Sequence, residues 1–213
     1  MSEPVHPPKQ QRSRETLARL LEATIETVNE HGLAGTTIPR IAERAKVAPA
    51  SIYRRFRDKE ALLRSAFIGM LERSNAVNAA AIPAHLEGHT LEWVAGALAR
   101  SLIAQYRRNP NLMRALIRFT ESDDDQKFRA RAMSLVARNA SFMVDAIVKR
   151  FSAQIAATDP HRAVTFATLV MANVVQTRTL ESSSLWSEML PVDDDTLVAE
   201  LKRLFVSYLT QGA

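Results

Sequence analysis

The chain has 213 residues, of which 46% are hydrophobic, enough for one large or two small domains with a well-buried core. It contains no cysteine, which excludes a disulfide framework, a thiolate zinc site and a cysteine nucleophile together and agrees with a reducing cytoplasm. The formal net charge of +5 is concentrated: between Thr36 and Lys59 stand Arg40, Arg44, Lys46, Arg54, Arg55, Arg57 and Lys59 against only Glu43 and Asp58, an excess that marks an electrostatic footprint for phosphate.

The opening MSEPVHPPKQQ is polar and proline-rich rather than signal-like and reads as a disordered start. No apolar run approaches the roughly 20 residues that span a bilayer, so a soluble, cytoplasmic protein without a membrane partner is expected. Leucine, alanine and charged residues recur at helical spacing, while hairpin-bounded β-branched alternation is absent; the fold class is all-α, with about nine helices. The first helix is predicted from about Arg14 to His31, with Leu17, Leu20, Leu21, Thr24, Ile25 and Val28 on its apolar face and Gly32 as its C-cap. Thr37 caps a short second helix through Ala45, and Lys46, Val47 and Ala48 turn into a third from about Pro49 to Phe56. Two short helices joined by three residues have helix-turn-helix spacing.

Asp58 reads as the N-cap of a fourth helix running towards about Ala79. Further helices are predicted over Thr90–Asn109, Pro110–Thr120, Asp124–Ala156, Pro160–Ser182 and Asp193–Gln211. Asn109 and Asp159 each place a capping oxygen ahead of a proline, and the aspartate runs at 123–125 and 193–195 sit at helix starts, where the dipole favours negative charge. Capping explains both runs without a metal. His85 and His89 stand four apart, but Pro83 and Gly88 argue against a helix there, so no metal or cofactor is expected.

Ile38, Ile41, Ala42, Ala45, Val47, Ile52 and Phe56 have the spacing to close a small core against Leu21, Ile25 and Val28. That leaves one face of the third helix free, so Ala50, Ser51, Tyr53 and Arg54 project outwards, thin enough at Pro49 and Ala50 to enter a major groove. Arg54 is the first choice for reading a base, and Tyr53, Arg55 and Lys59 for phosphate. A cation in the first turn of a helix is unfavourable by a few tenths of a kcal/mol, so a phosphate would account for Lys59. Lys9, Arg12 and Arg14 of the leader are candidates for added minor-groove or phosphate contacts.

The stretch GLAGTTIPRIAERAKVAPASIYRRFRDKEALL, Gly32 to Leu63, resembles the DNA-binding segment of the TetR family of regulators through the glycine and threonine before the second helix, Ile41-Ala42, Ala45, Val47, Ile52-Tyr53, Phe56 and Lys59. It departs from the family pattern at Lys46, where glycine is usual, at Ala48, where serine or threonine is usual, and at Ala50, where glycine is common. The resemblance implies a helix-turn-helix domain over residues 10–57 and a helical ligand-binding and dimerisation domain over 58–213, with helix 58–79 as the link. It implies a regulator that is not an enzyme: a dimeric repressor released from double-stranded operator DNA by a small-molecule effector. Thr37, Lys46, Pro49, Ala50, Ser51, Tyr53, Arg54, Arg55 and Lys59 are the expected DNA contacts. The alternative is a helical ligand-binding protein or enzyme without DNA work, although no Ser-His-Asp set or phosphate-cradling glycine loop is visible.

From Ala163 to Val175 apolar residues cover nearly the whole helix, and the last helix carries Leu197, Val198, Leu201, Leu204, Phe205 and Tyr208. Two such helices per subunit, about 160–182 and 193–211, are expected to pair as a homodimeric four-helix bundle. Trp93, Tyr106, Met113, Phe119, Phe142 and Met143 supply apolar lining for an effector pocket, with Arg118 and Asn139 available to orient a polar group.

Overall fold

Capping oxygens and prolines set most helix boundaries in the computed structural model, which describes residues 9–181 and 185–211. The described residues contain no strand, and the all-α expectation is met. The helices are α1 (Lys9–Gly35), α2 (Ile38–Ala45), α3 (Pro49–Tyr53), α4 (Lys59–His85), α5 (Leu91–Arg108), α6 (Pro110–Ser122), α7 (Gln126–Phe151), α8 (Pro160–Leu180), α9 (Leu185–Met189) and α10 (Asp194–Thr210). Among the described residues no helix is long and apolar enough to cross a membrane.

Several boundaries depart from expectation for identifiable reasons. Helix α1 begins at Lys9, so the end of the supposed disordered leader is helical: strong helix formers follow directly on Pro8, and Gln11 donates to Glu15 one turn on at 3.2 Å. Helix α4 runs past Ala79 to His85, carried by three alanines, with Pro83 confined to its last turn, where it forfeits one backbone hydrogen bond near the end of the helix and does not break its interior. His85 is therefore helical, against expectation, while His89 lies beyond the helix and stacks on Trp93 at 3.5 Å between ring centroids. Helix α7 stops at Phe151, before Ala156, because a 3-10 turn follows at Ser152–Gln154 and the Ala156 N–H is taken by the Leu209 carbonyl at 2.8 Å. Asn109 closes α5, its backbone N–H and its side-chain amide both reaching the Gln105 carbonyl. Helix α9 was not foreseen, and Ser182, the expected end of α8, lies outside the described residues.

The chain divides by compactness into two units, Met1–Arg73 with Asn111–Met133 and Ser74–Pro110 with Ser134–Ala213. In the first, α1 breaks at Gly32, whose φ of 65° suits the one residue type without a Cβ. Asn111 of α6 fastens this break by donating to the Asn29 carbonyl at 3.1 Å. Leu20 and Ala23 of α1, Ile38, Ile41, Ala42 and Ala45 of α2, Ile52 of α3 and Leu62 of α4 form one buried cluster, with Leu21, Val47 and Phe56 packed on it. Ala23 and Leu62 take part where Ile25, only half-buried, had been expected. Thr24 and Thr27 are buried on the same helix, which they tolerate by donating their hydroxyls to the carbonyls of Leu20 and Ala23.

In the second unit α5 packs against α8 and α10. Leu91, Ala99 and Ile103 of α5 meet Ile147 and Phe151 of α7, Val164, Met171 and Val175 of α8, and Leu201, Phe205 and Leu209 of α10. The caps foreseen at Asp159 and in the 193–195 run are present, at Asp159 and Asp193, and Thr90, expected as the first residue of its helix, also serves as a cap, each accepting the N–H three residues on.

Candidate nucleic-acid interface

The interface begins with a turn that is strained on purpose. Lys46 closes α2 in the left-handed region, at φ 54° and ψ 48°, and its N–H meets the Glu43 carbonyl while that of Val47 reaches back to Ala42 at 2.9 Å. A non-glycine residue held there costs about 1–2 kcal/mol. Lys46→Gly is therefore expected to raise stability by about 0.5–1 kcal/mol, less than the full strain because glycine also loosens the unfolded chain. A urea midpoint that falls on this substitution would refute the strain.

Thr37 accepts the Arg40 N–H at the start of α2, which fixes where that helix begins. Helix α3 has no side-chain cap, because Ala48 stands at its N-cap, and relies on Pro49 to pre-set the first turn. It is shorter than expected, ending at Tyr53, so Arg54 sits on the turn that follows, where its N–H still reaches the Ala50 carbonyl. Ile52 anchors the helix at 0% exposure.

Outward from this anchor, Thr37, Lys46, Pro49, Ala50, Tyr53, Arg54 and Arg55 are exposed, Tyr53 at 59%, while Ser51 and Lys59 are half-buried. Ser51 spends its hydroxyl on Arg54, accepting from Nη2 at 2.9 Å. Asp58 caps α4 through the Ala61 N–H at 2.7 Å; that bond, then the Arg57 guanidinium, hold its carboxyl below the usual range. Arg57 is thereby paired. Arg44 is paired as well, with Glu30 and Glu26 of α1, and its guanidinium holds the Glu30 carboxyl low. The seven bases of the window are therefore not equivalent: Arg44 and Arg57 are paired with acids, whereas Arg40, Lys46, Arg54 and Arg55 are exposed without an ion pair among the described residues, Arg40 donating to the Gly35 carbonyl.

Two contacts here left no trace in the sequence pattern. Arg55 donates from Nη2 to Ser13 Oγ of α1 at 3.0 Å, across 42 positions of sequence. Arg64 of α4 donates to Asp123, the carboxylate that also accepts the Asp125 N–H. Lys59, Glu60, Arg64, Arg118, Phe119 and Asp123 line a polar cavity of about 360 Å³ beside that pair. Arg12 and Arg14 lie exposed on α1, and the side chain of Lys9 is outside the described residues.

The residues nominated for an effector fall in both compact units. Met113, Arg118 and Phe119 belong to the first, where Phe119 is buried between Phe67 and Phe128. Trp93, Tyr106, Asn139, Phe142 and Met143 belong to the second. There Tyr106 donates to Gln176 at 3.3 Å, and burial pushes its phenol above the ordinary range. Asn139 is tied to Ser74 and Asn78, Phe142 lies under the Arg138 guanidinium, and Met143 packs on the core.

The helices nominated for dimerisation resolve into an inner and an outer face. Val164, Met171 and Val175 of α8 and Leu197, Leu201 and Phe205 of α10 are buried, whereas Phe166, Leu169, Leu204 and Tyr208 are 44–58% exposed. The rings of Phe166 and Tyr208 meet at 5.4 Å, which places all four on one surface. An apolar cavity of about 750 Å³ adjoins it, lined by Val170, Val174, Trp186, Leu190, Leu201 and Leu204 among others.

A short helix seated on a small core, preceded by a capped helix and a three-residue turn, defines a helix-turn-helix protein. The family model of bacterial regulatory proteins, tetR family, matches residues 20–66. The transcriptional repressor KstR of Mycolicibacterium smegmatis is 34% identical over 106 residues, 49% of this chain and 50% of KstR, so the alignment spans about half the length of that relative. Among solved structures, the regulator FadR from Bacillus subtilis, in complex with stearoyl-CoA, superposes with a TM-score of 0.61 at 18% identity, covering 90% of this chain and 98% of its own. A TetR transcription regulator from Haloarcula marismortui gives a TM-score of 0.63 at 20% identity over 92% and 97%. Residues 20–66 of this chain are thus similar to the tetR family of bacterial regulatory proteins, and the chain as a whole shares the fold of these solved regulators.

Proposed function

We propose that the protein is a DNA-binding transcriptional regulator acting in the cytoplasm, a homodimeric repressor that leaves its operator when a small-molecule effector binds. The observation that carries this reading is the exposure of Pro49, Ala50 and Tyr53 on α3, and of Arg54 on the turn that follows, while fully buried Ile52 anchors the opposite side of the helix. A helix presented in this way fits a major groove about 12 Å wide. Residues 10–57 are the DNA-reading domain, and residues 58–213, linked through 58–79, hold the effector and the partner subunit. An enzymatic reading is set aside, because the family and its named relatives are regulators.

Thr37, Lys46, Pro49, Ala50, Ser51, Tyr53, Arg54, Arg55 and Lys59 make the DNA contacts in this proposal. Arg54 reads a guanine; Lys46, Tyr53, Arg55 and Lys59 hold phosphate. For the effector we retain Trp93, Tyr106, Asn139, Phe142 and Met143, with Met113, Arg118 and Phe119 as further candidates. An effector that binds better to the dimer whose reading heads are wrongly spaced lowers DNA affinity by linkage.

Nuclease footprinting upstream of the protein's own gene is expected to reveal a protected palindrome, since one short helix reads too few bases alone. The absence of protection at low salt on every neighbouring promoter would count decisively against the proposal. Arg54→Ala is expected to cost about 1–3 kcal/mol on the operator while leaving binding to unrelated duplex nearly unchanged. An equal loss on both duplexes would remove Arg54 from base reading.

A further inference from the structure

We propose that the first turns of α1 form a second, sequence-independent arm of the DNA interface, in which Arg12 and Arg14 meet backbone phosphates beside the bases read by α3. This rests on the DNA-binding reading and extends it to residues outside the helix-turn-helix.

Arg55, two positions beyond Tyr53, donates to Ser13 of α1 at 3.0 Å, so the beginning of α1 lies against the end of the reading element. Both partners are exposed, which puts their contact on the surface rather than in the core. On a helix turning about 100° per residue, Arg12 and Arg14 stand to either side of Ser13 and flank the point of contact. Both are exposed, and neither has a carboxylate within ion-pair distance among the described residues. Glu15, the nearest acid in sequence, accepts the side-chain amide of Gln11. Arg44 and Arg57 show the other fate of a base in this unit, each neutralised by an acid beside it.

A duplex carries about one negative charge per 1.7 Å of its axis, so uncommitted guanidinium groups next to a groove-reading helix are placed among phosphates. Because α1 is already helical at these positions, the arm does not have to be ordered when DNA arrives. Phosphates carry no sequence code, so the arm contributes affinity and register, not specificity.

The test is the dependence of log K on log salt for the full chain, on operator and on unrelated duplex of equal length, comparing wild type, R12A/R14A and R12K/R14K. Each lost phosphate contact lowers the slope by about 0.9, so R12A/R14A is expected to flatten it by roughly 1.8 on both duplexes, with R12K/R14K close to wild type. The hydroxyl-radical footprint should also shorten at its edges. An unchanged slope and footprint would overturn the arm while leaving the regulator reading intact, and so would a loss confined to the operator. A wild-type chain that binds neither duplex would overturn both. Far-UV circular dichroism confirms that the variants, altered only at exposed positions, keep their helix content.

Discussion

For the dimeric DNA-binding protein proposed above, placing aspartate at both Leu169 and Leu204 is expected to yield a folded monomer whose operator affinity is lower by about 10²-fold or more. The two leucines are 58% and 51% exposed, so the substitutions leave the core of the second unit untouched. They sit with Phe166 and Tyr208 on a surface too apolar and too contiguous to be explained by water as its natural neighbour. If this surface meets its copy across a two-fold axis, each substitution appears twice and four carboxylates must be desolvated without partners, at a cost of several kcal/mol. A dimer holding two reading heads converts the second half-site contact into an intramolecular event, and that advantage disappears with the dimer. Sedimentation at micromolar concentration reads the first effect and a mobility-shift titration the second. A variant that stays dimeric would show that α8 and α10 present their apolar face to something else.

How much of this was legible beforehand depends on how local each feature is. The caps at Thr37, Asp58, Asp159 and Asp193 were readable because the oxygen and the N–H it satisfies lie three residues apart. The Lys46 turn was readable from spacing, and the family match at 20–66 explains why the reading was sharpest there. Features that pair distant segments were not. Ser13 with Arg55 and Ala156 with Leu209 are joined only by the fold, and nothing in the local sequence of either partner announces the other. The all-round apolar stretch from Ala163 to Val175 signalled burial on two sides, but only coordinates separate Met171, turned inwards, from Leu169, turned out. Charge counting had a similar limit: Arg44 is basic in the sequence and neutralised in space, because Glu26 and Glu30 come from the preceding helix. Only residue type points to the effector residues, and residue type does not say which of the two units a side chain serves.

Phe119 illustrates that last point and leads to the largest stability change anticipated in the molecule. It was nominated for its aromatic surface, yet its ring lies 5.1 Å from that of Phe67 and meets Phe128 edge-on at 6.0 Å. Phe67 is fully buried on α4, next to buried Leu63 and Ala66. Phe67→Ala should cost about 3–5 kcal/mol, because a close-packed site cannot collapse onto the space a phenyl ring leaves. Against a total of about 5–15 kcal/mol for a typical protein, this removes from about a fifth to all of the stability. Phe119→Ala should cost a similar amount, and the double variant less than the sum, by about 0.5–1.5 kcal/mol, since the first truncation already removes the ring contact. Urea unfolding of the four proteins measures that coupling. Strict additivity would mean that the two rings do not support one another and that Phe119 owes its place to the 360 Å³ cavity it also lines, rather than to the aromatic stack.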